Sequence, residues 1–160
     1  MSLPITSGID TSVFEISSME KIIPFESYLS TVFRDLNLEW LEAYFYVEPH
    51  DRDLLDHCEK IIIDQGGHIF FYQKNGIIVG TFALIKIKEG TFELGKMAVT
   101  HSARGQGIGQ KMMEYCINFA REAGWDKLFL YSNTSLENSI YIYKKFGFIE
   151  VPIPTDNPYS

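Results

Sequence analysis

The stretch Phe92–Gly109, FELGKMAVTHSARGQGIG, leaves few folds open: a strand runs into a glycine-rich turn and then into a helix. Glu93–Val99 carries β-compatible residues, and Ser102-Ala103 makes a short connection. From Arg104 onward the pattern is helical. Ile108, Met112, Cys116 and Ala120 recur every four residues, with Tyr115, Phe119 and Ala123 on an adjoining stripe. Gly105, Gly107 and Gly109 stand at the start of that helix, where unpaired N–H groups and the positive end of the dipole point outward. Lacking Cβ atoms, they let phosphate oxygens approach the backbone, and Arg104 adds a positive charge beside them. The pattern suits a pyrophosphate, and a carboxylate, Glu93, lies on the strand leading to it.

Three phosphate-binding motifs compete for this turn. A dinucleotide fingerprint needs G-x-G-x-x-G, but the third glycine falls one position early and Gln110 stands in the required place. A P-loop ends in Gly-Lys-Ser/Thr, which is absent here. Arg-x-x-Gly-x-Gly is met by Arg104, Gly107 and Gly109. With KMAV before it and YKKFGF after it, the segment resembles the acetyl-CoA-binding motif of the GNAT N-acetyltransferase superfamily. FELGKMAV, YSNTSL, YKKFGF and VPIP together resemble the small GNAT domains that also occur fused to MarR-type regulators.

At 160 residues the chain reads as one domain, 1–160, with enough length for a sizeable core. A hydrophobic fraction of 46%, with twelve Phe and nine Tyr, excludes a disordered chain. No apolar run reaches the length of a membrane span, and the N-terminus has no basic-then-apolar signal pattern. Cys58 and Cys116 are too few for a disulfide framework, so a cytoplasmic protein with reduced thiols is expected. The net charge of −7 argues against nucleic acid as a partner and favours a cationic substrate over an acidic one.

Residues 1–10 read as a polar leader of little structural weight. Strands are expected at Val13–Ile16, His68–Gln73, Ile77–Lys88, Phe92–Val99, Lys127–Ser132 and Phe148–Ile153, with Asn75-Gly76 as a hairpin turn. Helices are expected at Pro24–Leu36, Leu38–Tyr44, from Glu48-Pro49 through Ile62, at Gln106–Gly124 and at Leu136–Phe146. This is a mixed α/β (α+β) layout, antiparallel strands leading into a strand–helix–strand unit. The resemblance implies the GNAT acyl-CoA N-acyltransferase fold: a mixed, mostly antiparallel sheet of about six to seven strands flanked by helices. Its parallel pair, Phe92–Val99 and Lys127–Ser132, would splay apart, and the cofactor arm would pair with the edge backbone of Met97, Ala98 and Val99. The family usually continues into a further C-terminal strand, whereas this chain stops at Ser160 after a Pro-rich tail: either the sheet is one strand short, or another molecule supplies the strand, or the chain is truncated. An unpaired edge there would suit a homodimer.

Acyl transfer to an amine needs a neutral nitrogen, a stabilised oxyanion and a proton for the departing thiolate. An alkyl ammonium has a pKa near ~10.4, so a base or a desolvating site is required. Glu93 lies five residues before Ala98, the register in which the family's lysine acetyltransferases place a general base; on residue pattern alone it reads equally as a solvent-facing strand carboxylate. Tyr143 stands four residues before Gly147-Phe148, matching the family's Y-x-x-x-G-F pattern, which implies the proton donor to the CoA sulfur. Its neighbour Tyr141 points elsewhere on the helix, so only one of the two can face a cleft. The resemblance implies that Arg104, Gly105, Gln106, Gly107, Ile108 and Gly109 hold the pyrophosphate and that Asn133 or Asn138 meets the pantetheine amides. Leu136 holds the place where the family commonly has an asparagine.

His50, Asp51, Asp53, Asp56, His57 and Cys58 lack paired metal-ligand spacing and read as a solvated helix start, so no metal is expected. Cys116 sits on an apolar stripe and reads as core rather than as an acyl-enzyme nucleophile. Trp40, Tyr44 and Tyr46 fall where the family builds its acceptor wall. The expected activity is acetyl-CoA-dependent N-acetylation of a small-molecule amine or an exposed protein amino group; the alternative is a non-catalytic acyl-CoA-binding or sensing domain.

Overall fold

The computed structural model describes residues 1–4, 15–17, 19–131 and 137–152, with the backbone alone at 4, 15–17, 44 and 137–139. In chain order the elements are β1 (Ser2–Pro4), β2 (Glu15–Ser17), β3 (Glu20–Pro24), α1 (Ser30–Tyr44), α2 (Pro49–Asp56), β4 (His68–Lys74), β5 (Ile77–Lys88), β6 (Thr91–Val99), α3 (Ile108–Glu122), β7 (Lys127–Leu130) and α4 (Glu137–Lys145). A 3₁₀ turn, Ser27–Leu29, leads into α1, and a π turn, Glu59–Ile63, follows α2.

Among the described residues, seven strands form one sheet in the order β1-β7-β6-β5-β4-β3-β2. Every neighbouring pair is antiparallel except β6 with β7. The β4–β5 hairpin turns at Asn75 and Gly76, both at positive φ (52° and 79°), as a two-residue turn matching the strand twist requires. Helices cover both faces. On one, α3 packs Ile108, Met112, Met113 and Cys116 onto Phe82, Leu94 and Leu128. On the other, Phe33 of α1 and Leu55 of α2 meet Ile69, Phe71 and Ala83. Phe92 stacks on Trp125, ring centroids 3.6 Å apart, which ties the start of β6 to the end of the α3 connection.

Four expectations need correction. Residues 2–4 are not a structureless leader. They form β1, paired with β7 through Ser2–Phe129, Leu3–Leu128 and Pro4–Lys127. The edge of β7 that seemed to lack a strand is therefore covered from the N-terminal end of the chain, which removes the open-edge argument for a homodimer. The last strand reduces, among the described residues, to a single bridge of Ile149 with Ser2, closed by Ser2 N–H donating to Ile149 O at 2.7 Å and Ile149 N–H donating to Ser2 O at 2.8 Å. Pro24 ends β3 instead of opening a helix; lacking an N–H, it suits a strand terminus. The two helices expected on either side of Leu36-Leu38 are one, α1, because Asn37 is buried and its side-chain N–H donates to Phe33 O at 3.0 Å instead of breaking the helix.

Leu3 is 5% exposed and belongs to the α3-side core. Leu3→Ala is expected to cost about 2–4 kcal/mol, the usual range for truncating a buried leucine, read as a lowered urea midpoint. A leader without structural weight would leave the midpoint unchanged.

Candidate active site

β6 builds the site because it outruns its parallel partner. Pairing with β7 runs from Thr91–Lys127 to Leu94–Leu130, and β6 continues to Val99, so from Gly95 onward the two strands share no pairs among the described residues. A bulge helps them part. Thr81 faces Ala98 and Ala83 faces Gly95, so Lys96 and Met97 together oppose Phe82, and Lys96 takes φ +52°. Met97, Ala98 and Val99 lie on this open stretch. Ala98 is buried, and Met97 and Val99 pack against the α3-side core.

Glu93 sits at the base of the divergence, flanked in register by Ile85 on β5 and Phe129 on β7. Leu94 faces the α3-side core, so alternation along the strand turns Glu93 toward α1 and α2, the side on which Ile85 packs. Burial pushes its carboxyl up to about 7, while the charge of Lys96 pulls the other way. The side chain is half-buried, neither on the open surface nor in the core. Gly95 makes room for it: a Cβ at Gly95 would lie 3.1 Å from Glu93 Oε2. Lys96 Nζ donates to Asp51 Oδ1 at 2.6 Å, both side chains 9% exposed. Asp51 stands in the first turn of α2, where its other oxygen caps Glu48 N–H at 3.3 Å.

The glycine turn precedes α3. Gly105 and Gly107 adopt φ +78° and +77°, and no heavy atom lies within 4 Å of a Cβ built at Gly105, Gly107 or Gly109. Left-handed backbone with no neighbouring atom leaves this glycine cradle open to the approach of phosphate oxygens, which suits a pyrophosphate. Ile108 is buried beneath the turn, so only its backbone faces the cradle. Gln106 is exposed, its Oε1 accepting from Lys74 Nζ at 2.7 Å.

Arg104 is held from several sides. Its Nε donates to Val99 O at 3.0 Å, its Nη2 lies 3.5 Å from Glu39 Oε1, and its guanidinium sits 5.3 Å from the Trp40 ring centroid. Glu39 also accepts from His101 N–H at 2.8 Å and Thr100 Oγ1 at 3.1 Å. The arginine therefore braces the turn against α1, and its charge is shared with Glu39. Nothing in the sequence pointed to Glu39, which stands more than sixty positions away; Lys96 had a signal, a cation inside an otherwise small and apolar strand segment.

Tyr143 is half-buried against the α3-side core, its ring edge-on to Phe148 at 6.2 Å, whereas Tyr141 is exposed. Of the two tyrosines, only Tyr143 is turned inward. Asn133 lies outside the described residues; Asn138 is on α4, described by its backbone alone, as is Tyr44 on α1. Trp40 packs under Arg104 and Tyr46 is exposed.

Glu48, His50 and Asp51 bring ligand-type atoms within 4.8 Å of one another. Asp51 already serves Lys96 and the helix cap, and His50 lies 3.3 Å from Glu48 Oε2. Cys116 is fully buried and burial pushes its thiol well above the ordinary range, which leaves no thiolate nucleophile there. No helix among the described residues is long and apolar enough to cross a membrane.

The family model described as Acetyltransferase (GNAT) family matches residues 33–148. "N-acetyltransferase family 8 member 2" of Rattus norvegicus is 26% identical over 132 residues, covering 75% of this chain and 58% of that protein. The chain spans about half the length of the curated relatives it matches. Among solved structures, a GNAT-family acetyltransferase from Staphylococcus aureus Mu50 superposes with a TM-score of 0.73 at 25% identity, covering 88% of this chain and 90% of that one. A predicted acetyltransferase from Clostridium acetobutylicum, solved with acetyl-CoA, superposes at 0.66 with 18% identity, covering 83% and 92%.

Proposed function

The chain belongs to the GNAT acetyltransferase family, and from that membership we propose that it transfers an acetyl group from acetyl-CoA to a primary amine, directly, in a ternary complex. The observation that carries this reading is Glu93: a half-buried carboxyl, pushed up to about 7 by desolvation, at the point where β6 and β7 part. A carboxylate at its ordinary pKa is a feeble base toward an ammonium near ~10.4. Raising the carboxyl to about 7 narrows that gap and holds part of the population ionised near neutrality, as general-base catalysis favours.

Acetyl-CoA supplies an activated thioester. The cradle of Gly105, Gly107 and Gly109 suits its pyrophosphate, and the open edge of Met97–Val99 suits its extended arm. The carboxylate of Glu93 takes the proton from the acceptor nitrogen. Tyr143 Oη, neutral at the outset, gives its proton to the leaving sulfur; the phenolate regains a proton from solvent, and Glu93 releases its own to solvent, before the next turnover. The acceptor is an amine of a small molecule or an exposed protein amino group, and the protein works in the cytoplasm.

Tyr143→Phe tests this. With a primary-amine panel scored by CoA release, the variant is expected to bind acetyl-CoA as the wild type does by calorimetry, with turnover reduced about 100-fold or more. A wild type that binds but releases no CoA with any amine would instead mark a sensing domain.

A further inference from the structure

One buried charge pair stands apart from the acyl-transfer chemistry. Lys96 and Asp51 join β6 to α2 across 45 positions, both side chains 9% exposed, three residues along the strand from Glu93. Pairs so little exposed are weakly screened, so a change in either charge is felt by a third group nearby. We propose that Lys96 and Asp51 are positioning residues that together set the proton affinity of Glu93: Lys96 favours its carboxylate, and Asp51 tempers Lys96.

The geometry supports a couple and not a stray contact. Lys96 is held by the bulge in a left-handed conformation (φ +52°) that a lysine rarely adopts, and this fixes where its side chain leaves the strand. Asp51 is fixed from the other side by the capping interaction with Glu48 N–H. Lys96 is the charged group whose field acts on Glu93, opposing the larger effect of burial. Other charges on the surrounding elements are engaged elsewhere or exposed. On α1, Arg34 pairs with Asp35, Glu39 holds the Thr100–Arg104 corner, and Glu42 is exposed. On α2, Arg52 pairs with Asp56, Asp53 lies near His57, and His50 lies 3.3 Å from Glu48 Oε2 and 3.6 Å from Asp51 Oδ1. On β5, Lys86 pairs with Glu89 and Lys88 is exposed; the direct strand neighbours of Glu93, Ile85 and Phe129, are apolar.

An unpaired lysine here would drag Glu93 toward an ordinary carboxylate, and no lysine would leave it protonated at neutral pH. The paired lysine holds it between these limits. This use of the couple rests on Glu93 as the base, but the coupling itself is tested without that reading. The experiment is a ¹³C-carboxyl NMR titration of glutamate-labelled protein, with the Glu93 signal assigned by its loss in Glu93→Gln. Lys96→Met is expected to move the Glu93 midpoint up by about half a unit or more, and Asp51→Asn to move it down by a similar amount. Lys96→Arg, which keeps the charge, is expected to stay within a few tenths of the wild type. The same signs are expected on a His50→Gln background, which removes the imidazole beside Asp51.

A role confined to holding α2 would leave all midpoints alone, or shift both charge-removing variants the same way; either result overturns the proposal. If Lys96→Met does not fold, Asp51→Asn decides by its sign. The acid limb of kcat/KM, read with acetyl-CoA and phenethylamine as probe, then separates the two claims. A limb that fails to follow the Glu93 midpoint sinks the base reading and leaves the coupling standing.

Discussion

Glu93→Gln is expected to lose turnover by at least about 100-fold and, at the same time, to unfold at a higher temperature than the wild type at pH 8. The two effects share one cause. Burial raises the carboxyl from its ordinary 4.5 to about 7, with Lys96 opposing. The folded state therefore binds the Glu93 proton more tightly than the unfolded chain does. Between these two values the folded protein holds more protons, so stability falls as pH rises through the window and stays low above it. A neutral amide carries no such cost and, with the wild type at pH 8 as reference, regains about 1–3 kcal/mol. Thermal unfolding at pH 5 and pH 8 checks this. The wild type is expected to be more sensitive than the variant to the change, with the gap between them largest at pH 8. Equal stabilities at both pH values, with activity retained, would mean that Glu93 is an ordinary surface carboxylate.

Gly109→Ala is expected to weaken acetyl-CoA binding about tenfold or more while leaving the fold as stable as before, or more so. Gly109 is the second residue of α3 and shows no left-handed φ, so alanine is conformationally welcome there and favours the helix by up to ~1 kcal/mol. Its Cβ would project into the open space of the cradle. Gly107→Glu is the harsher companion. It places a side chain at φ +77°, in a conformation that costs roughly 1 kcal/mol or more, and adds an anion where a diphosphate is to sit. Binding is expected to fall below calorimetric detection. Calorimetry with acetyl-CoA, paired with thermal unfolding of each variant, separates lost approach from lost fold. Full affinity in Gly109→Ala would overturn the cradle.

Tertiary contacts explain where the sequence reading stopped. The β4–β5 hairpin, the run from β6 through the turn into α3, and α4 were legible because each is written in local periodicity and turn chemistry: alternation, Asn75-Gly76, a four-residue apolar stripe. β1 was not. Three residues carry no period, and Ser2 finds its partner Phe129 from the far end of the chain. The strand at Glu20–Pro24 was masked by Pro24, which fits a helix start as well as a strand end. Arg104 was visible as a cation beside a phosphate turn, yet its bracing against Glu39 and Trp40 depends on how α1 crosses the sheet.

The division follows from the range of the forces involved. Backbone conformation, helix start and glycine cradle are decided within a few neighbouring residues, so the order of strand, turn and helix, and with it the family, stood in the amino-acid string. The state of Glu93 was decided elsewhere. Alternation could say only that its side chain left one face of β6. Burial beneath α1 and α2, the room made by Gly95 and the field of a lysine paired to Asp51 turned a strand carboxylate into a group that titrates near neutrality. Desolvation and Coulomb fields act through space, between residues that only the packed structure brings together.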